Sequence, residues 1–493
     1  MMRLLSLLIL PILFSCSVSK NYDPNKKYSQ TTLRKDYTFL KNVFEEKHPS
    51  LYWYTPKDSM DYFFDEGYKA ITDSMTELQF GWKIIAPLTS TIHCGHTSFS
   101  MSKGWNKFIK NKRIPSFPLY LKIWGDTMVV VNNLNPKDSV IKRGTIITSI
   151  NGIRNGDMIR RMFEFMVEDG YSNNVNYIRL SASFPYFHRN IFGLFKTYNV
   201  GYIDSIGIEK TIILPYFAPP EDSLGRRKKH LPGVRKRKPT RAEKQENIRS
   251  LSVDTSAALM TINSFTKAHL RHFFKTSFRH LKKEKVQNLI VDIRANGGGD
   301  INNYVLLTKF LRNTPFKVAD SAYAVSNTFR PYTPHISFGF FNNIGLLFVA
   351  KKKRDGKYHF GYWERHTFRP KRNNHFPGNV YVLTNGLTFS ASSLFCNAVK
   401  GQENVTLVGE ETGGGWYGNS GIMIPDIILP ETKLRVRLPF FRLVQYHHIH
   451  VKGIGVMPDV YVGPNVKDII TQEDTKIERI RRMIAEKDLK KTD

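Results

Sequence analysis

Val380-Tyr381-Val382-Leu383-Thr384-Asn385-Gly386-Leu387-Thr388-Phe389-Ser390-Ala391-Ser392-Ser393-Leu394-Phe395-Cys396-Asn397-Ala398-Val399 is the stretch from which the fold can be read. Its first residues are β-branched and apolar and read as a buried strand. Asn385-Gly386 break that strand, and apolar residues at helical spacing from Ala391 onward read as a helix. Ser390 then stands at the helix start. Serine is an ordinary capping residue there. The same place also sets a hydroxyl beside free backbone N–H groups and the positive end of the helix dipole, where a nucleophile and its oxyanion can be stabilised together. On this stretch alone both readings stand.

A second run, Val286-Gln287-Asn288-Leu289-Ile290-Val291-Asp292-Ile293-Arg294, reads as another buried strand and empties into Ala295-Asn296-Gly297-Gly298-Gly299-Asp300. Consecutive glycines allow the backbone to approach a ligand closely with its amides turned inward. No Gly-Lys-Ser/Thr follows and the G-x-G-x-x-G spacing is absent, which speaks against nucleotide binding.

Asp292-x-Arg294-x-Asn296-Gly297-Gly298-Gly299, Asn385-x-x-Thr388-x-Ser390-Ala391-Ser392, Val408-Gly409-Glu410-Glu411-Thr412-Gly413-Gly414 and Gly455-Val456-Met457-Pro458-Asp459-Val460, in that order, resemble the tail-specific (carboxy-terminal processing) serine proteases. The resemblance implies a crotonase-like α/β (ββα) core, Ser390 as nucleophile, and an oxyanion hole built from the amides of Ala391 and Gly298. Bacterial processing proteases of this kind place a lysine just after the Gly-Glu-x-Thr segment, where this chain has Gly413-Gly414-Gly415-Trp416. The chain is therefore closer to the branch that resembles the tricorn core, which recruits a histidine from a helical region ahead of a PDZ-like segment. Leu88-Thr89-Ser90-Thr91-Ile92-His93-Cys94-Gly95-His96-Thr97 resembles that motif, and His96 is assigned as general base, since imidazole can take the serine proton and return it to the leaving amine. His93 competes for the role. A zinc reading of His93, Cys94 and His96 lacks a further ligand at evident spacing, and no metal or other cofactor is expected.

Three positions depart from the family pattern. Gly95 replaces a serine before the histidine, Lys452 replaces a glutamate ahead of Gly455-Val456, and Ser393 stands where the family carries glutamate. The acid that should orient His96 is thus unassigned. Two functions stay open: a serine endopeptidase acting on exported or misfolded proteins or peptides, and a catalytically weak or inactive relative that binds peptides or another ligand.

The N-terminus, Met1-Met2-Arg3 and then an apolar stretch to Phe14, reads as a signal peptide, and Leu13-Phe14-Ser15-Cys16 resembles the bacterial lipobox. Cys16 is the expected lipidation site, which places the chain in the bacterial cell envelope, anchored to a bilayer. Only Cys94 and Cys396 remain after it, so no disulfide framework is indicated.

The fold class expected for the 493 residues is multidomain α+β, with 41% hydrophobic content to build its cores. The segments are a signal peptide over 1–15, a tether over 16–30, an N-terminal helical domain over 31–105, a PDZ-like β domain over 115–216, a basic linker over 217–248, the protease core over 249–470 and a helical tail over 471–493. Ile141-Lys142-Arg143-Gly144-Thr145-Ile146-Ile147-Thr148-Ser149-Ile150-Asn151-Gly152 resembles a PDZ segment, with an insertion expected over Glu168 to Phe195 and the return strand over Ile206 to Leu214. Such domains bind peptides by strand addition. The runs Arg226-Arg227-Lys228-Lys229 and Arg235-Lys236-Arg237-Lys238 lie in a stretch too poor in apolar residues to fold alone. With a formal net charge of +31, the segment 226–244 suits an anionic surface. No nucleic-acid module is recognisable, and no nucleic-acid partner is expected.

Overall fold

The computed structural model describes residues 22–110, 112, 114–219, 240–266 and 269–489. Cys16 and both cationic runs lie outside them. Six strands form the central sheet in the order Arg249–Val253, Ala258–Ile262, Asn288–Asp292, Asn379–Thr384, Val405–Gly409, Val460–Tyr461. The first pair is antiparallel and the rest are parallel. Parallel strands covered on both faces read as unbroken apolar runs, and the alternation of neighbours shows the two layers. Leu289, Val291, Val380 and Val382 share one core with Phe274, Phe278, Leu307, Phe310, Leu394 and Phe395 from the helices Leu270–Lys283, Ile301–Leu311 and Ala391–Val399. Ile290, Tyr381, Leu383 and Val408 face the other way, onto Ile480 and Ile484 of the helix Thr475–Leu489.

In a parallel sheet the chain leaves every strand at the same edge. Asp292 is in register with Leu383, so the glycine run and the turn to Ser390 emerge side by side. Ligands of open α/β sheets bind at this edge.

The four motifs mostly build this edge. Arg294 is held by Asp292 (2.7 Å) and by Asp474 (2.7 Å), which ties the last helix to the strand end. Asp459 accepts the Leu407 amide at 2.8 Å. Gly455 donates to Glu411 Oε1 at 2.5 Å and Val456 to Thr412 Oγ1 at 2.8 Å, so the third and fourth motifs are laced together.

Residues 119–215 form a separate sheet, ordered Leu119–Trp124, Thr127–Asn133, Ile146–Ile150, Thr197–Ile203, Glu209–Pro215. The stretch expected as an insertion is the helix Asn174–Phe192, kinked at Ser183 ahead of Pro185, whose Leu180 and Phe184 enter this sheet's own core. The return strand of the sequence reading proves to be one arm of a hairpin, Thr197–Ile203 with Glu209–Pro215. Asp204 closes its turn by accepting the amides of Ile206 and Ile208.

The N-terminal helices do not close a core by themselves. Leu33, Leu40, Phe44, Phe64, Phe80 and Ile92 share one with Ala324, Phe329, Leu346, Leu434 and Phe441. Asp36, fully buried on the helix Gln30–Lys47, accepts the amides of Glu431 and Thr432, both at 2.8 Å, and the Thr432 hydroxyl at 2.6 Å. This shared core carries the Cys94–Thr97 turn to the domain of the central sheet.

Candidate active site

Ser390 sits at the start of its helix with φ 55° and ψ −123°, and its hydroxyl makes no capping bond. A non-glycine residue held there costs about 1–3 kcal/mol, and such strain gathers at functional sites. Packing enforces it. The Phe389 amide bonds the Asn296 carbonyl at 3.2 Å, and Thr388 Oγ1 bonds the Ile293 carbonyl at 3.2 Å. A Cβ on Gly298 would lie 2.7 Å from Ser390 Cβ and 2.9 Å from the Ala391 nitrogen, so only glycine allows this approach. Ser393 donates to the Thr388 carbonyl at 3.0 Å and lies tightly against Gly414, which explains a short side chain where the family carries glutamate.

Ser390, Ala391, Gly297, Gly298, Gly299 and His96 line one cavity of about 770 Å³. His93 does not line it. Its ring faces Glu168, with Nδ1 3.7 Å from Oε1. His96 is placed by three contacts on its neighbours. Gly95 donates to Asp169 Oδ1 at 2.7 Å, Thr97 Oγ1 pairs with His48 Nε2 at 2.7 Å, and the Arg437 amide bonds the Ser98 carbonyl at 2.9 Å. A Cβ on Gly95 would lie 2.6 Å from the Phe389 ring, so the serine of the family pattern has no room here. Ser390 and His96 are not hydrogen-bonded to one another.

The Gly298 amide, expected in the oxyanion hole, is engaged within the glycine run. Gly298 donates to Asn296 Oδ1 at 2.9 Å, while Asn296, fully buried, donates to the Ile262 carbonyl at 3.0 Å. Asn296 thus pins the glycine run and takes up that donor. The Ala391 amide, at the first turn of its helix, has no acceptor among the described residues and borders the cavity.

Sequence reading missed Asp169 and Arg442. Asp169 lies in the stretch expected as an insertion. It is 2% exposed, burial raises its carboxyl to about 6, and its bonds go to backbone rather than to His96. His96 Nδ1 is buried without a hydrogen-bond partner. Arg442, in the strand Phe441–Gln445, is 2% exposed. Its guanidinium lies 3.8 Å over the Trp53 ring, with Nε and Nη2 unpartnered. Nothing in local sequence marks either residue, because their partners are more than seventy positions away. Lys452 lies over Trp53 and Tyr417, at 4.9 and 5.5 Å, and does not line the cavity. Burial pushes the Cys94 thiol up to about 11, which makes it a poor nucleophile.

Burial, then the charges of Arg437, Arg179 and Arg442, holds His96 down at about 3, so the imidazole is neutral at ordinary pH and available to take a proton. Arg442→Met should keep an apolar stem over Trp53 while removing an unpaired buried charge. The expected results are an unchanged or raised Tm and a higher His96 pKa by NMR titration. A large fall in Tm with no change at His96 would show that Arg442 is paired in solution.

The same burial makes stability pH-dependent. His48 and His96 are lowered from 6.5 to about 3, and His188 to about 4, all chiefly by desolvation. Near 6.5 and below, the unfolded chain takes up protons that the folded chain refuses, so stability present above that pH is lost as pH falls. Asp169, raised from 3.8 to about 6, acts oppositely between those values. Asp36, raised by burial, acts in the same opposing sense, and three histidines against these two carboxyls set the sign: Tm should fall between about pH 7 and about pH 5. A rise in Tm on acidification, measured by calorimetry, would contradict this reading.

A strained serine at a strand-to-helix turn, an amide without an acceptor beside it and a neutral imidazole lining the same cavity are groups that acyl transfer through a serine uses. Residues 256–462 match the model of peptidase family S41. These residues form a domain of the S41 peptidase type, and the chain is a serine-type peptidase. Among solved structures, mature CPAF complexed with lactacystin is 12% identical with a TM-score of 0.63, over 92% of this chain and 98% of that one. Mature CPAF alone is 13% identical with a TM-score of 0.60, over 89% and 94%. At these identities the likeness shows the fold, which here extends well beyond the matched domain. No curated protein matches the chain significantly.

Proposed function

We propose that this peptidase is an endopeptidase of exported or misfolded proteins and peptides, with Ser390 as nucleophile and His96 as general base. The observation that carries the proposal is Ser390 itself: a strained serine whose hydroxyl is not used as a cap, lining one cavity with His96 and the free Ala391 amide. Ser390 Oγ attacks the scissile carbonyl carbon as His96 takes its proton, and the oxyanion forms beside the Ala391 amide and the glycine run. The C–N bond then breaks, His96 gives its proton to the leaving amine, and water repeats the sequence on the acyl-enzyme. Gly298 can contribute its amide only by releasing Asn296.

The sheet over 119–215 is proposed as a PDZ-like peptide-binding unit, and the N-terminal helices as the support of His96. We further place the chain in the bacterial cell envelope, anchored by a lipidated Cys16. Mass spectrometry of the mature N-terminus tests the anchor, and an unmodified start at another residue removes it. Among the described residues no helix is long and apolar enough to cross a membrane.

A second reading, a catalytically weak relative that binds peptides, is favoured by one observation: His96 Nδ1 has no carboxylate to orient it. A fluorophosphonate serine probe separates the two. The first requires an adduct mapped to Ser390 on the folded chain. A folded protein that stays unlabelled supports the second.

A further inference from the structure

The helix Gly339–Val349 turns its apolar face outward. Phe340, Phe341, Ile344, Leu347 and Phe348 recur at i, i+1, i+4, i+7 and i+8, one stripe of a helix. They are 65, 70, 42, 68 and 76% exposed, and Phe338 just before them is 78% exposed. The opposite face is the one that docks. Gly339 and Leu346 are buried, and Asn343 accepts the Phe329 amide at 2.7 Å and donates to Thr333 Oγ1 at 3.0 Å. The helix is therefore seated firmly, with six large apolar side chains facing outward. A contiguous patch of this kind on an ordered element marks an interaction surface.

Charge decides the partner. The helix itself carries no charged residue, and Lys351-Lys352-Lys353-Arg354 follow immediately after Ala350. Lys353 is engaged by Glu364 at 2.5 Å. Lys351, Lys352 and Arg354 are exposed and have no carboxylate partner among the described residues. An aromatic and aliphatic stripe bordered by free cations fits the boundary between the acyl chains and anionic headgroups of a bilayer. A second copy of the chain fits poorly, because it would bring a like charge of +31 against the same cations. We propose that the outward face of Gly339–Val349, with the cations that follow it, docks on an anionic lipid bilayer. The contact is independent of an acyl anchor at Cys16 and of the catalytic residues.

The test uses the full-length chain carrying Cys16→Ser, so that no acyl chain contributes, and Phe348→Cys labelled with nitrobenzoxadiazole. The probe reports this one position. Vesicles of phosphatidylcholine containing phosphatidylglycerol should raise and blue-shift its emission several-fold. Phosphatidylcholine alone should do so weakly, and salt should reverse much of the change. Adding Phe341→Ser and Leu347→Ser should weaken vesicle binding by roughly tenfold per side chain, while hydrolysis of a soluble peptide stays unchanged. The proposal is overturned if emission does not respond to anionic vesicles, or if Phe341→Ser and Leu347→Ser leave the response intact. It is equally overturned if emission rises with protein concentration in the absence of lipid and sedimentation shows a dimer, which would assign the face to a second copy.

Discussion

Ser390→Ala is expected to abolish hydrolysis of an unstructured polypeptide, with kcat falling by roughly three to six orders of magnitude, because a triad-type nucleophile acts as part of one unit. Stability should hardly change. The Ser390 hydroxyl makes no capping bond, so its removal breaks no helix-capping hydrogen bond, and alanine inherits the same positive φ. Ser390→Gly extends the argument. It removes the hydroxyl and also relieves the strain, so it should be as inactive as the alanine variant with a Tm no lower than wild type. Turnover by purified Ser390→Ala at the wild-type rate would remove Ser390 from the chemistry. A Tm lowered by many degrees would show that the hydroxyl has a structural partner after all.

His96→Ala is the second large effect. It should depress kcat about as severely as Ser390→Ala, and the double variant should be little worse than either, since the two residues serve one proton transfer. His93→Ala should be mild, because that ring faces Glu168 and does not line the cavity. Lys452→Ala should also be mild, given its place over Trp53 and Tyr417. The pH profile adds a separate check. With the imidazole held near 3, kcat/KM should show no acidic limb at the ordinary histidine value of 6.5 and should decline only at lower pH. A limb at 6.5 would mean that substrate or water restores the solvation that burial removes in the free enzyme. If His93→Ala or Lys452→Ala proved the damaging change, His96 would not be the base.

Strands whose both faces are covered leave unbroken apolar runs, so Asn288–Asp292 and Asn379–Thr384 were legible, as were the breaks after them. Asn385-Gly386 and the triple glycine announce turns because their backbones demand it. The serine at the helix start was legible for the same local reason, but its role was not. A capping serine and a strained one have the same letters, and only the packing of Gly298 and the Asn296 carbonyl against the turn holds φ at 55°.

Sequence by itself determined the order of the central strands' motifs, the glycine run that permits close backbone approach and the candidate histidines, since each depends on neighbours a few positions away. Tertiary structure decided which histidine enters the cavity, because the N-terminal helices share a core with residues more than two hundred positions later. It also decided that Asn296 occupies the Gly298 amide, that Asp169 and Arg442 are buried around His96, and that the apolar stripe of Gly339–Val349 faces outward. The last point has a plain physical cause. An apolar helix periodicity says that a face wants cover, and only the position of Leu346 and Asn343 against the rest of the chain says which face has received it.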